Sequence, residues 1–238
     1  MELTKKQEEG LKIIVDRHRN HEKYTVVSGY AGTGKSTLVK FAIAALDVDP
    51  DRVAYATFTG KAAEVLRKKG NDGAMTLHRL LYDHFPKPGG GYVRKRKGRI
   101  DYDIVVVDEV SMVPKSMIDL LLTHHVYVLF LGDPFQLPQI DKEEVHDLLE
   151  HPHIFLDEVM RQAAESEIIR LSMDIRNQNS LTYTKGTEVM VMPYNQLVES
   201  CYDWADQVIT ATNAKRKMVN EILLFFLENK SYFFKNFF

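Results

Sequence analysis

The chain has 238 residues, 45% of them apolar and 27% charged, with a formal net charge of −2, so it can form one large or two modest domains and is not a disordered or low-complexity chain. The near-neutral balance excludes a uniformly basic nucleic-acid binder, leaving a local patch as the only way to meet such a partner. One cysteine, Cys201, excludes an internal disulfide, and no apolar run reaches the roughly 18 residues of a membrane span, so a cytoplasmic protein with no membrane partner is expected.

Leu3-Thr4-Lys5-Lys6-Gln7 leads into an amphipathic helix with Leu11, Ile14 and Val15 at helical spacing. The amide of Gln7 offers a donor and an acceptor that suit the Hoogsteen edge of adenine, although an N-terminal glutamine is more often simply solvated. Tyr24-Thr25-Val26-Val27 is a β-branched strand candidate, and the segment Gly29 to Thr37 after it fits G-x-x-x-x-G-K-[ST] at every fixed position. A helix from Ser36 to Leu46 completes the strand, loop and helix order that such a match requires. Glycines at 29, 32 and 34 open main-chain conformations that let successive N–H groups converge on a phosphate at a helix N-terminus. The expected nucleotide contacts are therefore Gly29, Ala31, Gly32, Thr33, Gly34, Lys35, Ser36 and Thr37. Lys35 reaches the β- and γ-phosphates, and the hydroxyl of Ser36 ligates Mg²⁺.

A second strand, Arg52 to Thr57, runs into Phe58-Thr59-Gly60-Lys61, where a helix opens. Residues at the carboxyl end of a strand in an open α/β sheet are well placed for a ligand. Thr59 and Lys61 suit a polyanion such as a nucleic-acid backbone, and Phe58 can stack on a base; a plain helix start is the alternative. Thr76 caps another helix through Leu81. Residues 86–100 change texture: turn formers are followed by Arg94, Lys95, Arg96, Lys97 and Arg99, which predicts an inserted hairpin or loop with a nucleic-acid contact, against a merely solvated charge run. Ile104 to Val107 is a strand buried on both faces, ending in Asp108 and Glu109. Asp108 suits Mg²⁺ held through water, and Glu109 suits orienting the attacking water, which points to ATP hydrolysis. Val126 to Leu131 is a fourth buried strand, ending in a stiff loop whose Gln136 can donate to a γ-phosphate, and Arg161 is a candidate charge-stabilising finger. Further on, helices at 168–175 and 213–227 and strands at 188–192 and 207–212 are expected. The tail from Ser231 carries four phenylalanines without periodicity.

Taken in order, these segments resemble a superfamily 1 DNA helicase of the RecD-like and Dda-like branch. Leu3 to Gln7 is similar to the adenine-reading Gln motif, GYAGTGKS to motif I, FTGKAA to motif Ia, TLHRLL to motif Ib, VVVDEVSM to motif II, GDPFQLP to motif III and EVMRQ to motif IV. DEVSM followed by GDPFQLP is the specific part. The resemblance implies an α/β P-loop NTPase with a RecA-like parallel sheet flanked by helices at 1–160, a small basic hairpin inserted at 86–100 that splits the duplex, and the beginning of a second RecA-like domain at 161–238. It implies ATP and Mg²⁺ at Gln7, Lys35, Ser36, Asp108, Glu109, Gln136 and Arg161, and single-stranded DNA at Phe58, Thr59, Lys61 and His78. Partners would be single-stranded DNA, a DNA fork, and other replication or recombination proteins. Motifs V and VI of that family are not found, so an incomplete second lobe is expected, and with it an alternative activity: nucleotide-dependent DNA binding with little turnover.

Overall fold

The computed structural model describes residues 2–87, 89–158, 166–181, 184–193, 196 and 208–221, the side chains of 184 and 185 excepted. The chain divides into two compact units, Met1–Asn179 and Ser180–Phe238.

Six strands form the sheet of the first unit: β1 Tyr24–Gly29, β2 Val53–Thr57, β3 Met75–Thr76, β6 Ile104–Asp108, β7 Tyr127–Gly132 and β8 Ile154–Leu156. Their spatial order is β3-β2-β6-β7-β1-β8, and every neighbouring pair is parallel. The helices are α1 Lys5–Arg19, α2 Lys35–Leu46, α3 Gly60–Lys68, α4 Leu77–Leu81, α5 Lys115–Leu121 and α6 Glu167–Arg176.

The run Ile104 to Val107 is unbroken in apolar residues because both its faces are covered. Val105 and Val107 pack with Ala54, Ala56, Val128 and Phe130 beneath Leu77, Leu80 and Leu81 of α4 and Met117, Ile118 and Leu121 of α5. Ile104 and Val106 pack on the other side with Val27, Leu129 and Leu131 against Ile14 of α1 and Leu38, Val39 and Ala42 of α2. Each buried Val, Leu, Ile, Met or Phe side chain among them contributes about 1.5–3 kcal/mol relative to exposure. Because the strands are parallel, β1, β2, β6 and β7 end at the same edge, at Gly29, Thr57, Asp108 and Gly132. The loops with the sequence motifs share that edge.

β4 Tyr82–Pro86 and β5 Tyr92–Arg96 form the inserted hairpin, apart from the sheet. It begins at Tyr82, earlier than residue 86, because the one-and-a-half-turn α4 stops at Leu81 and the chain passes directly into a strand. Gly89, Gly90 and Gly91 all have positive φ, which explains the glycine run at its tip.

In the second unit, β9 Thr184–Lys185 pairs antiparallel with β10 Met190–Val191, and residues 213–221 are helical. The strand expected at 207–212 is not formed over its described part, 208–212: 208–210 are irregular and 211–212 bend into the helix. Its β-branched run is largely exposed, Ile209 at 87%, and among the described residues no strand lies beside it to pair with. Cys201, Arg161 and the Phe-rich tail lie outside the described residues. No described helix is long and apolar enough to cross a membrane.

Candidate nucleotide site and nucleic-acid face

The segment between β1 and α2 has Gly32 at φ 77° and Gly34 at φ 80°, both in the left-handed region where other residues are strained. Gly29 is required for a different reason: a Cβ there would lie 2.4 Å from the main-chain oxygen of Leu156. Gly34 caps α2 without any side-chain hydrogen bond. The first-turn N–H groups at Lys35, Ser36 and Thr37 thus face outward at the positive end of the helix dipole, the arrangement that receives a phosphate. Lys35 Nζ folds back to donate to the carbonyls of Gly29 (2.6 Å) and Tyr30 (2.9 Å). Burial holds its pKa below the usual lysine value, while Asp133, Asp108 and Glu109 pull it back up. A charge so placed gains from an incoming anion.

Gln7 is not solvated: it is 1% exposed. Its Oε1 accepts from Thr4 N (2.9 Å) in a capping box, and its Nε2 donates to the carbonyl of Thr33 (3.2 Å). Thr33, itself buried, donates through Oγ1 to Tyr30 O (2.8 Å). The first helix is tied to the phosphate loop by this residue. Ala31 is exposed on the loop, Ser36 is exposed in the first turn of α2, and Thr37 is half-buried.

Asp108 ends β6 and Glu109 follows in a left-handed conformation (φ 55°, ψ 48°), its N–H donating to Asp108 Oδ1 (2.9 Å). Burial pushes both carboxyl groups above the ordinary range; for Glu109 the neighbouring Asp108 pushes further, and Lys35 opposes. The Gln136 side chain lies near enough to Glu109 to favour its charged form slightly, so these two sequence-predicted residues are neighbours. Ser36 and Asp108 line one cavity of about 320 Å³ together with Lys40, Tyr55, Lys69 and Asn71. Among the described residues no group of three or more His, Cys, Asp or Glu could hold a metal alone. A hydroxyl and one carboxylate fit an Mg²⁺ whose remaining positions are water and nucleotide phosphate oxygens.

Sequence reasoning missed Asp133 and Arg176. Asp133 is 1% exposed; its Oδ1 accepts from Phe135 N (3.0 Å) and its Oδ2 from Arg176 Nη2 (2.5 Å). The guanidinium carbon of Arg176 lies 5.0 Å from the centre of the Tyr30 ring. An Asp directly after the buried strand β7 was a visible signal; an arginine 43 residues further along gave none.

One strand away lies a second cluster. Thr57 is the neighbour of Asp108 in the β2–β6 register, and Phe58 follows it. The Phe58 ring is 5.8 Å from His78, and His78 stacks at 6.1 Å on Tyr82, the first residue of the hairpin. Tyr82 pairs with Arg96, and His84 with Arg94, so these four side chains share one hairpin face with Tyr92. Arg94 is near enough to His78 to help burial lower its pKa. The other basic residues are spread elsewhere. Lys95 occupies the opposite hairpin face with the exposed Phe85 and Val93. Lys97 is at the hairpin base, donating to Arg79 O (3.2 Å), and Arg99 pairs with Asp101 at 3.4 Å. Thr59 caps α3 through Ala62 N (3.2 Å), and the exposed Lys61 is 3.6 Å from Glu64.

A parallel sheet with an uncapped phosphate-binding helix and an acidic pair at the end of the neighbouring strand but one is the arrangement of a P-loop NTPase. A family model described as an AAA domain matches residues 2–188, and the chain belongs to that family, alongside superfamily 1 helicases of the RecD-like and Pif1-like kind. It is 34% identical over 162 residues to the ATP-dependent RecD2 DNA helicase of Deinococcus radiodurans, covering 66% of this chain and 22% of that protein. Identity to the ATP-dependent DNA helicase dda of Enterobacteria phage T4 is 26% over 190 residues, 74% of this chain and 43% of the relative. A Pif1 helicase structure from Candida albicans superposes with a TM-score of 0.51 at 25% identity, over 74% of this chain and 44% of that one. The chain spans less than half the length of these relatives.

Proposed function

We propose that this chain belongs to an ATP-dependent DNA motor, hydrolysing ATP to move on single-stranded DNA and open a duplex at a fork. The observation that carries it is the register of β2 on β6: Thr57 lies beside Asp108, so the strand next to the one that ends at the nucleotide continues directly into Phe58 and the face formed by His78, Tyr82, Arg94 and Arg96. A change of charge at Asp108 is thereby one strand spacing from the DNA-facing loop.

In this reading Lys35 leaves the two loop carbonyls for the β- and γ-phosphates, and Ser36 and Asp108 hold Mg²⁺, which supplies neutralisation of phosphate charge. Glu109, with Gln136 on its carboxylate, orients the attacking water, and Arg161 stabilises charge at the γ-phosphate. Gln7 keeps its proposed place on the adenine side while holding Thr33. Phe58 and His78 stack on bases, Thr59 and Lys61 meet the backbone, and the hairpin with Arg94, Lys95, Arg96, Lys97 and Arg99 works on the duplex. The second unit is taken to be part of a second RecA-like lobe.

The test is the steady-state Mg-ATPase rate of the chain with and without single-stranded DNA, with Lys35→Ala as the blank. DNA-stimulated turnover that collapses in Lys35→Ala and Glu109→Gln is expected. Turnover indifferent to DNA refutes the motor reading. Salt-sensitive DNA binding without turnover selects the nucleotide-gated binding module instead.

A further inference from the structure

Arg176 is the last residue of α6, and the second unit begins at Ser180. Its guanidinium is largely buried, with 13% of its side chain exposed, and it meets Asp133, which is 1% exposed. It also donates to Ser172 Oγ at 3.2 Å and covers the Tyr30 ring. Two loops therefore converge on one side chain. Tyr30 belongs to the phosphate loop, and its carbonyl is one of the two acceptors of Lys35 Nζ. Asp133 opens the loop with Gln136: it takes the N–H of Phe135 on its carboxylate and the N–H of Gln136 on its carbonyl (3.1 Å). The ring of Phe135 closes the circuit by resting edge-on against Tyr30 at 5.6 Å.

We propose that Arg176 is a positioning residue for ATP hydrolysis, clamping the phosphate loop at Tyr30 to the Gln136 loop at Asp133 so that Lys35 and Gln136 address the γ-phosphate at a fixed separation. This rests on the nucleotide-hydrolysis reading above. A general structural tie would not need this chemistry, since an apolar side chain of similar volume fills such a position as stably as a buried ion pair. A planar guanidinium does what neither an apolar residue nor an ammonium does, pairing with a carboxylate in its plane while stacking its face on an aromatic ring. Lys35 senses Arg176 electrostatically, so the clamp lies in the same field as the phosphate site. ADP needs only the phosphate loop. ATP needs both loops in register, so the clamp acts on the difference between the two nucleotides.

The experiment uses the whole chain and the variants Arg176→Ala, Arg176→Lys and Tyr30→Leu. It measures affinity for ADP and for a non-hydrolysable ATP analogue, kcat and KM of the ATPase, and melting by circular dichroism. For Arg176→Ala the expected result is ADP affinity within about threefold of the unaltered chain, with preference for the triphosphate reduced by about tenfold, KM for ATP raised with it and kcat lowered by about tenfold. Arg176→Lys restores melting more fully than it restores triphosphate preference, because the ion pair returns without the stacked plane. If Arg176→Ala does not fold, Tyr30→Leu carries the decision, since it removes the stack while Asp133 stays paired; it must lower triphosphate preference at constant ADP affinity. Equal losses for both nucleotides in step with melting, or an unchanged preference in a folded variant, overturn the proposal. Failure of the underlying reading is distinct, because the unaltered chain itself would then show no ATP turnover that depends on Lys35.

Discussion

Gly29→Ala isolates how closely the phosphate loop is built against the sheet. The added methyl would meet Leu156 O at 2.4 Å, Leu156 Cβ at 2.9 Å and Thr33 Oγ1 at 3.0 Å. The nearest atom is main chain, in register with Gly29 on β8, and it also accepts from Tyr30 N at 3.2 Å. It cannot turn aside as a side chain would. Either β8 retreats, or β1 bends and takes the phosphate loop with it. Overpacking of this kind costs about 1–3 kcal/mol, and weakening the Tyr30 to Leu156 hydrogen bond adds about 1 kcal/mol, for about 2–4 kcal/mol in all. At about 2–4 °C per kcal/mol for a chain of this size, the melting point should fall by on the order of 5–15 °C. Thermal unfolding by circular dichroism reads the shift, and nucleotide affinity should fall with it. Gly60→Ala is the matched control: nothing lies within 4 Å of a Cβ there and the residue opens α3, so a gain of about 0.4–1 kcal/mol is expected. A Gly29→Ala chain that melts within about 2 °C of the unaltered one and binds nucleotide normally would refute the close-approach argument.

Asp108→Asn should abolish hydrolysis yet raise stability near neutral pH, because the site holds a carboxylate that burial disfavours. The sign follows from the raised pKa: the group favours the folded state below its ordinary value of 3.8 and loses that contribution as pH rises through the folded value. The gap between variant and unaltered chain should therefore close as pH falls toward 4, which melting curves across pH will check. On the hairpin, Arg94→Ala with Arg96→Ala should weaken single-stranded DNA binding and flatten its log–log salt slope by about 1.4, leaving DNA-independent ATPase intact; an unchanged slope places the DNA elsewhere. Tyr82→Ala should cost about 1–3 kcal/mol of DNA affinity with little change in slope, since stacking releases no counterions.

Local chemistry made much of this protein legible in the sequence. The phosphate loop needs left-handed residues at 32 and 34, and only glycine supplies them cheaply, so the motif announces its own conformation. Ile104 to Val107 announces a strand covered on both faces, and Thr76 and Thr59 announce helix starts that the structure contains. Adjacency along the chain also kept Asp108 with Glu109 and Gln136 with its loop.

Contacts between distant segments were decided only by the tertiary structure. β3 and β8 are two and three residues long, too short for any periodicity, and they exist because a neighbouring strand offers them a ladder. A solvated Gln7 is the reading its own segment suggests, whereas in the fold it is buried and bonded to Thr33, 26 residues away. Of the five basic residues from Arg94 to Arg99, only pairing register could say that Arg94 and Arg96 share a face with Tyr82 while Lys95 turns to the other side. Arg176 is an unremarkable helix-terminal arginine in the sequence, and becomes part of the site because parallel strands deliver Tyr30 and Asp133 to one edge of the sheet. Backbone conformation is set by a residue and its immediate neighbours, and a sequence displays those directly; the company a side chain keeps is set by strand order and register, which arise only when the whole sheet is assembled.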